Sequence, residues 1–205
     1  MKIGLSGGIA CGKSTVLGFF REAGWQTVDS DAVVRELLAT DAEVKAQLRS
    51  RWGEAVFTEG AVDHTAVAKR DFGNEGDLKW LEELLHPLVR ESWLASIAQA
   101  PNANWLVEIP LLFEKRLETR FDLTVCVVSP PDVAADRMVA RAYTEEQIEQ
   151  RRKQQMPLEE KMELADYLIS NAGSLEFLKQ QTTRLIEQIT AHKCGLCSSK
   201  TPVTY

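Results

Sequence analysis

Short apolar runs and longer segments of helical periodicity alternate along this chain. The apolar runs predict buried strands, and they occupy residues 2–6, 25–29, 105–110, 123–129 and 166–170. The run at 123–129 is rich in β-branched residues and has no polar alternation, which is typical of a parallel strand covered on both faces. The alternation of strands with helices indicates an α/β chain whose doubly wound parallel sheet has about five strands.

Apolar residues at helical spacing predict helices at residues 13–23, 31–39, 132–142 and 175–192. Between the second and third strands, residues 42–100 have an almost entirely helical pattern, in which Val44, Leu48 and Trp52 share one face. Pro87 is expected to kink or divide the long amphipathic segment at 78–100, since proline lacks the N–H that a helix interior needs. The pattern therefore predicts a helical insertion within the α/β core.

A glycine-rich segment joins the first strand to the first helix. Residues 7–14 read Gly-Gly-Ile-Ala-Cys-Gly-Lys-Ser and match the phosphate-loop pattern, in which glycines let backbone N–H groups approach phosphate oxygens and the helix N-terminus faces the same anion. Lys13 is predicted to reach the β- and γ-phosphates of ATP, and Ser14 to ligate Mg²⁺. The predicted nucleotide-binding residues here are Gly7, Gly8, Ile9, Ala10, Cys11, Gly12, Lys13, Ser14 and Thr15.

Other features narrow the class of nucleotide-binding protein. The chain has no Asn-Lys-x-Asp motif for guanine and no hydrophobic run ending in Asp-Glu, which argues against a GTPase switch and a large ATPase motor. Arg137 and Arg141 lie four residues apart after the fourth strand, so a helix would place both on one face, where they can neutralise charge on a transferring phosphoryl group. The sequence predicts a small-molecule kinase with a helical lid.

Composition and charge limit the partners. The 205 residues have a formal net charge of −6, and no stretch approaches the roughly 18 apolar residues of a membrane span, so we expect small-molecule substrates, no nucleic acid and no membrane. The N-terminus does not read as a signal peptide, which predicts a cytoplasmic protein whose cysteines are thiols. We also expect a monomer or a weak homo-oligomer. The Cys194-x-x-Cys197 pair alone is a weak metal signal, and the tail at 193–205 is expected to be disordered.

Several further motifs occur in a specific order along the chain. They are Asp29-Ser30-Asp31, His86-Pro87 with Arg90, Pro110-Leu111-Leu112-Phe113-Glu114, residues 155–161, and residues 165–169 with Asn171 and Gly173. With these motifs the chain resembles the dephospho-CoA kinase family over about residues 1–190. The resemblance implies ATP-dependent phosphorylation of the ribose 3′-hydroxyl of dephospho-CoA, which gives coenzyme A and ADP in the last step of coenzyme A synthesis.

The fold class implied is α/β: a three-layer P-loop fold with a parallel β-sheet of about five strands, a helical acceptor-binding insertion and a helical lid. We expect the nucleotide-binding core at residues 1–30, 102–136 and 164–192, and the acceptor-binding subdomain at residues 31–101. The lid is expected at residues 137–163, followed by the tail at 193–205.

The resemblance also implies roles for single residues. Asp31 matches the carboxylate proposed as the family's general base, and it follows a strand end, where ligands bind in open α/β sheets; the alternative is that residues 29–31 only cap the next helix. The expected catalytic residues are therefore Asp31, from the resemblance, with Lys13 from the phosphate-loop pattern and Arg137 and Arg141 from their spacing. Those facing the acceptor are Asp31, His86, Arg90, Pro110, Leu111 and Glu114, whose alternative role is packing. Asn171 and Gly173 are expected to border the adenine.

The chain departs from the family pattern inside the phosphate loop. Ala10-Cys11 stands where relatives commonly have Gly-Ser, and Ala10 would matter if that position needs a positive φ. Cys11 lies near Lys13 and a helix N-terminus, so we expect it to be alkylated readily and to be protected by MgATP. Two other functions remain open at this point: a nucleoside or nucleoside monophosphate kinase of the same architecture, and a nucleotide-binding regulator without turnover.

Overall fold

The computed structural model of the chain describes residues 1–140, Ile148 and residues 155–193. Arg141, residues 142–147 and 149–154 of the expected lid, and the tail from residue 194 lie outside the described residues. Two compact units divide the chain. The first comprises Met1–Asp29 and the described residues from Asn102 onward, and the second comprises Ser30–Pro101.

The described strands and helices alternate as the hydrophobic pattern predicts. The strands are β1 (Lys2–Gly7), β2 (Gln26–Asp29), β3 (Phe57–Thr58), β4 (Ala61–Val62), β5 (Trp105–Glu108), β6 (Leu123–Val128) and β7 (Tyr167–Ser170). The helices are α1 (Lys13–Glu22), α2 (Ser30–Thr40), α3 (Ala42–Trp52), α4 (His64–Gly73), α5 (Glu75–Gln99), α6 (Pro131–Val139), α7 (Leu158–Leu164) and α8 (Leu175–Lys193).

A five-stranded sheet forms the centre of the first unit. Its strand order is β2-β5-β1-β6-β7, and every neighbouring pair is parallel. Because parallel strands present their C-terminal ends at one edge of the sheet, the segments that follow β1, β2, β5, β6 and β7 all leave from that edge. The predicted α/β class and the parallel sheet of five strands are confirmed.

The core of the first unit lies between the sheet and the helices α1 and α8. Alternate residues of β1, Ile3 and Leu5, are completely buried, as are Val16 and Phe20 of α1. The Phe20 ring meets Trp25 edge to face, with ring centroids 5.2 Å apart. Trp25 was expected to begin the second strand, but β2 begins one residue later. The cluster also includes Leu106, Val125, Val127, Ile169, Leu178, Leu185 and Ile189.

The second unit is built mainly from helices, and it has its own apolar core. Val44, Leu48 and Trp52 of α3 are buried on one face, as their spacing predicts. Leu38 of α2 and Leu85 of α5 belong to the same cluster. Asp41 caps α3 by accepting a hydrogen bond from the Val44 N–H, and the cap shows why this helix begins where it does.

Two details of this unit differ from the sequence-based expectation. Pro87 does not divide α5, which runs unbroken from Glu75 to Gln99. The reason is tertiary: residues at steps of four, Leu81, Leu85, Val89 and Trp93, are buried, while Pro87 itself is exposed, so packing offsets the roughly 3 kcal/mol cost of the lost backbone bond. The antiparallel hairpin of β3 and β4 interrupts the expected helical run. Its turn residues Glu59 and Gly60 both have positive φ, as a tight hairpin turn requires.

Among the residues that the structure describes, no helix is both long enough and apolar enough to span a membrane.

Candidate functional site

The phosphate loop leaves the C-terminal end of β1 and runs into α1. Gly7 has φ 151°, and a Cβ at this position would lie 2.3 Å from the backbone oxygen of Val127 in the neighbouring strand. Gly12 has φ 93°, and its Cβ would lie 2.2 Å from Nδ2 of Asn171. Both fixed glycines of the motif are therefore required for two reasons: each has a positive φ, and each has a neighbouring atom where a Cβ would stand.

The close approach of Asn171 makes a prediction about Gly12. Replacing Gly12 with alanine should lower the unfolding free energy by about 2–3 kcal/mol, since left-handed strain of about 1–2 kcal/mol is joined by a steric conflict. Gly24→Ala is the matched control, because Gly24 has φ 86° but no atom within 4 Å of a Cβ, so that only the strain applies. Urea unfolding of both variants measures the difference. Equal losses would show that Asn171 does not restrict residue 12.

Lys13 and Ser14 occupy the first turn of α1. The Lys13 ammonium donates to the carbonyl oxygens of Gly7 (3.4 Å) and Gly8 (3.0 Å), which holds it against the loop. Ser14 is exposed, and Thr15 is half-buried with its N–H bonded to the carbonyl of Gly12. Among the described residues no side chain caps the N-terminus of α1, and its first turn contains no acidic residue. This helix end is therefore open to an anion.

Ala10 adopts a left-handed conformation with φ 57°. The position therefore needs a positive φ, and alanine in place of the family's usual glycine is strained there by about 1–2 kcal/mol. The Ala10 methyl group is buried in a small cluster with Met138 and Ile148, which gives a packing contribution that glycine could not provide. The strain and the packing act in opposite directions at this position.

The two described cysteines are both buried. Cys11 is only 1% exposed, so the expectation of ready alkylation is wrong for this conformation, even though the residue belongs to the loop as predicted. Burial also raises the pKa of the Cys126 thiol to about 12, which keeps it protonated at neutral pH. Cys126 is therefore a packed thiol of β6.

Arg137 and Asn171 both contact the phosphate loop. Arg137 lies in α6, and its guanidinium donates to the carbonyl oxygen of Ala10 (3.4 Å) and to both oxygens of Asn171 (3.1 and 3.2 Å). Asn171 directly follows β7 and is buried, and its amide donates to the carbonyl oxygen of Cys11 (2.9 Å). Gly173, two residues further on, is exposed.

A buried ion pair lies beneath the loop that follows β5. Lys161 of α7 has only 1% of its side chain exposed, and its ammonium lies 2.8 Å from Oε1 of Glu114 and donates to the carbonyl oxygen of Pro110 at 3.0 Å. Glu114 Oε1 also accepts from the Met156 N–H at 2.9 Å. Leu111, between Pro110 and Glu114, is half-buried. Lys161 belongs to the motif at residues 155–161, but nothing in that segment of the sequence indicates that this lysine is buried.

A further buried carboxylate, which the sequence pattern did not single out, lies at the C-terminal edge of the sheet. Glu108 ends β5 and is buried, and its Cα pairs in register with Leu5 of β1 and Asp29 of β2. The sequence shows an apolar run that ends in this acidic residue, but the position of β5 beside β1 follows only from the strand order of the sheet.

The remaining candidate residues belong to the second unit. Asp31 stands in the first turn of α2, two residues after the end of β2. His86 and Arg90 lie one helical turn apart on α5; His86 is half-buried and Arg90 is exposed. An exposed guanidinium of this kind is free to reorient toward an anionic group.

A cavity of about 330 Å³ opens beside the phosphate loop within the first unit. Gly8, Ile9 and Cys11 of the loop form one side of it, and Ser129 lies nearby at the end of β6. Other lining residues include Pro131, Met138, Ile148, Met156 and Leu158. The cavity is concave, mostly apolar and next to the helix N-terminus, as is usual for a small-molecule site.

Known proteins resemble this chain over nearly its whole length. The family model for dephospho-CoA kinase matches residues 1–176. The dephospho-CoA kinase of Aquifex aeolicus is 34% identical over 191 residues, which is 92% of this chain and 97% of that protein.

The chain belongs to the dephospho-CoA kinase family. Among solved structures, a Thermus thermophilus protein has 33% identity and a TM-score of 0.76, with 92% of this chain and 97% of that chain covered. Shikimate kinase from Acinetobacter baumannii, at 14% identity and a TM-score of 0.54 with 94% of both chains covered, shares the fold alone. The kinase class and the P-loop fold that the sequence predicted are confirmed.

The described side chains of this dephospho-CoA kinase family member can fill only part of the coordination shell of Mg²⁺. The described residues contain no group of three or more His, Cys, Asp or Glu side chains arranged to hold a metal ion. Mg²⁺ commonly takes one or two protein oxygens and completes its shell with phosphate oxygens and water. The exposed Ser14 hydroxyl at the start of α1 fits that pattern.

Proposed function

We propose that this kinase uses MgATP to phosphorylate the ribose 3′-hydroxyl of dephospho-CoA and releases coenzyme A and ADP. Membership of the dephospho-CoA kinase family is the observation that supports the activity, since the match spans residues 1–176 and includes the phosphate loop, Asp31 and Pro110 to Glu114. The fold alone would not identify the acceptor, because shikimate kinases share it.

The phosphate loop is proposed to hold the triphosphate. Its required glycines and the uncapped N-terminus of α1 provide backbone N–H donors, and Lys13 is close enough to the loop to exchange its bonds to Gly7 and Gly8 for phosphate oxygens. Lys13 then neutralises the charge on the β- and γ-phosphates as the phosphoryl group leaves. Ser14 would hold Mg²⁺, which supplies further charge neutralisation when it is bound.

Asp31 is proposed as the general base. The ribose 3′-oxygen forms a bond to the γ-phosphorus, the bond between that phosphorus and the β,γ-bridging oxygen breaks, and the hydroxyl proton passes to the Asp31 carboxylate. The leaving oxygen departs with ADP. The support is the position of Asp31 just beyond the C-terminal end of β2, together with its match to the family pattern.

Acceptor binding is proposed for His86, Arg90, Pro110, Leu111 and Glu114. Arg90 offers an exposed guanidinium, which suits the pyrophosphate of dephospho-CoA. Glu114 Oε2 is buried and has no hydrogen-bond partner within the described residues, which supports a role in accepting a donor from the substrate. Gly173 is proposed beside the adenine and Arg141 as a phosphate contact, whereas Asn171 and Arg137 bond to the phosphate loop itself. The cytoplasmic location and the monomeric or weakly oligomeric state stay predictions.

An acceptor screen tests the proposed function. ADP release is measured with MgATP and dephospho-CoA, beside AMP, CMP and pantetheine phosphate, and the product is identified by mass. ADP formed only with dephospho-CoA, together with coenzyme A, is the expected result. Turnover with a nucleotide and not with dephospho-CoA would move the acceptor to a nucleoside monophosphate. Nucleotide binding with no turnover on any acceptor would favour a regulator.

The role of Asp31 is tested separately by Asp31→Asn. We expect kcat to fall by roughly 10²-fold, because asparagine cannot accept the hydroxyl proton, whereas the KM for ATP should change less than threefold. Asp41→Asn is the matched control in the same unit, since Asp41 caps α3 and asparagine caps equally well. Steady-state kinetics on both variants measure the split. An unchanged kcat in Asp31→Asn would remove the base assignment.

A further inference from the structure

The outward-facing carbonyl groups of the phosphate loop need hydrogen-bond donors. Where consecutive backbone N–H groups turn inward to meet a phosphate, the carbonyl groups between them turn outward. Ala10 and Cys11 are 8% and 1% exposed, so water has little access to their backbone. Buried carbonyl groups need donors, and an unsatisfied one costs free energy. The loop conformation therefore depends on donors that other parts of the chain supply.

Two side chains from outside the loop, Asn171 and Arg137, supply those donors, and Ser129 holds them in place. The Asn171 amide donates to the carbonyl oxygen of Cys11 at 2.9 Å. Arg137 Nη1 donates to the carbonyl oxygen of Ala10 at 3.4 Å. The single proton of the Ser129 hydroxyl is nearer to the Asn171 backbone oxygen, at 3.1 Å, than to the Cys11 oxygen, at 3.4 Å. Ser129 follows β6 and Asn171 follows β7, so the two strands next to β1 on one side of the sheet both contribute.

The three side chains also hold one another. Arg137 Nη1 donates to the Ser129 hydroxyl at 3.0 Å, and Arg137 Nη2 donates to the Asn171 backbone oxygen at 3.1 Å and to its Oδ1 at 3.2 Å. Because Oδ1 faces Arg137, the amide nitrogen of Asn171 must face the loop. Ser129 and Asn171 are each less than one-tenth exposed. We call Ser129, Arg137 and Asn171 the loop clamp.

The loop clamp fits closely against Gly12. The Asn171 amide occupies the place where a Cβ of residue 12 would stand, at 2.2 Å. Arg137 bonds to Ala10, the residue whose left-handed φ of 57° is strained. The clamp thus contacts the loop at the points where its conformation is least favourable for an ordinary chain.

We propose that Asn171 is a positioning residue for the phosphate loop: through the loop clamp it holds the carbonyl groups of Ala10 and Cys11 outward, and so it sets the affinity of the loop for the triphosphate. This inference rests on the proposed function only in that the loop binds a triphosphate, and it does not depend on the acceptor. Both terminal nitrogens of Arg137 already bond within the clamp, so Arg137 acts on the phosphates through the loop.

A comparison of two ligands distinguishes the proposed role of Asn171 in the loop from a direct contact with adenine. Inorganic tripolyphosphate has the charges of the nucleotide and no base, so a residue that acts through the phosphate loop must affect both ligands alike. In Asn171→Ala, the Kd values for tripolyphosphate and for ATP, each measured by calorimetry with Mg²⁺, should rise by the same factor of about tenfold. The KM for dephospho-CoA should change less than twofold.

Two further variants keep the result interpretable. Asn171→Asp retains the oxygen that faces Arg137 but replaces the donor to Cys11 with an acceptor, so it should weaken tripolyphosphate at least as much as alanine does. Ser129→Ala should weaken it by about threefold, since one partner of the clamp is lost. Circular dichroism establishes that each variant is folded, and Ser129→Ala alone decides the matter if both Asn171 variants unfold.

The outcomes distinguish this inference from the proposed function. Weaker ATP binding with unchanged tripolyphosphate binding would assign Asn171 to the adenine and overturn the inference. Wild-type chain that binds ATP but not tripolyphosphate would also overturn it, because the loop would then contribute too little affinity to be positioned. Parallel weakening of both ligands supports the clamp even if the acceptor screen selects a substrate other than dephospho-CoA.

Discussion

Replacing Lys161 with methionine is expected to lower the unfolding free energy of the first unit by about 3–5 kcal/mol. The methionine side chain fills nearly the same volume but leaves the Glu114 carboxylate buried without its cation, and it removes the donor to the Pro110 carbonyl. Glu114 keeps only the Met156 N–H at 2.9 Å as a described donor. The loss is measured by urea unfolding, followed by fluorescence and by circular dichroism.

The matched control for this prediction is a second lysine–glutamate pair on the surface. Lys179 and Glu22 lie 3.2 Å apart with 51% and 64% of their side chains exposed, whereas the values for Lys161 and Glu114 are 1% and 15%. Lys179→Met should therefore cost no more than about 1 kcal/mol, because water screens the pair and solvates the remaining carboxylate. The same chemical change at two depths isolates the effect of burial.

A double variant identifies the cause of the loss. If the uncompensated Glu114 charge is responsible, Lys161→Met combined with Glu114→Leu should recover much of the stability, as apolar replacements of buried ion pairs often do. A double variant that is less stable than Lys161→Met alone would show that the loss comes instead from the altered packing. The double-mutant cycle then gives the coupling between the two residues.

The parts of the fold that the sequence predicted are those decided by local pattern. The run at β6 is continuous and rich in β-branched residues, so burial on both faces could be inferred from neighbouring residues alone. The phosphate loop is equally local, because its glycines, Lys13 and Ser14 encode a turn and a helix start within one short segment.

The parts that escaped prediction depend on distant residues. Lys161 is buried because Pro110, 51 positions earlier, and Glu114 lie beside it, and no periodicity in α7 reports those partners. The hydrogen bond from Arg137 to Ala10 spans 127 positions, whereas the four-residue spacing to Arg141 predicts only that the two arginines share a helical face. In α5 the weak local signal, Pro87, was overruled by packing at steps of four.

Lys13→Met is expected to reduce kcat/KM for phosphoryl transfer by roughly 10³-fold, which is the loss that follows removal of a charge from a preorganised phosphoryl-transfer site. Methionine keeps an unbranched apolar side chain of similar size, whereas the ammonium that bonds to Gly7 and Gly8 is removed. Because Lys13 is half-buried and makes no ion pair in the described residues, unfolding free energy should change by less than about 1 kcal/mol. Initial-rate kinetics with MgATP and dephospho-CoA measure the effect, beside urea unfolding.

A loss of kcat/KM without a loss of unfolding free energy would assign the effect of Lys13→Met to the reaction and not to folding. Lys69→Met is the matched control, since Lys69 is exposed on α4 in the second unit and has no proposed role, and it should leave both quantities unchanged. Lys13→Arg keeps the charge but exchanges a compact ammonium for a planar fork, so it should also lose most activity if a point charge at the β- and γ-phosphates is what the reaction needs. Full activity in Lys13→Met would mean that the loop holds the triphosphate by its backbone alone, and the proposed charge neutralisation would have to come from the bound metal.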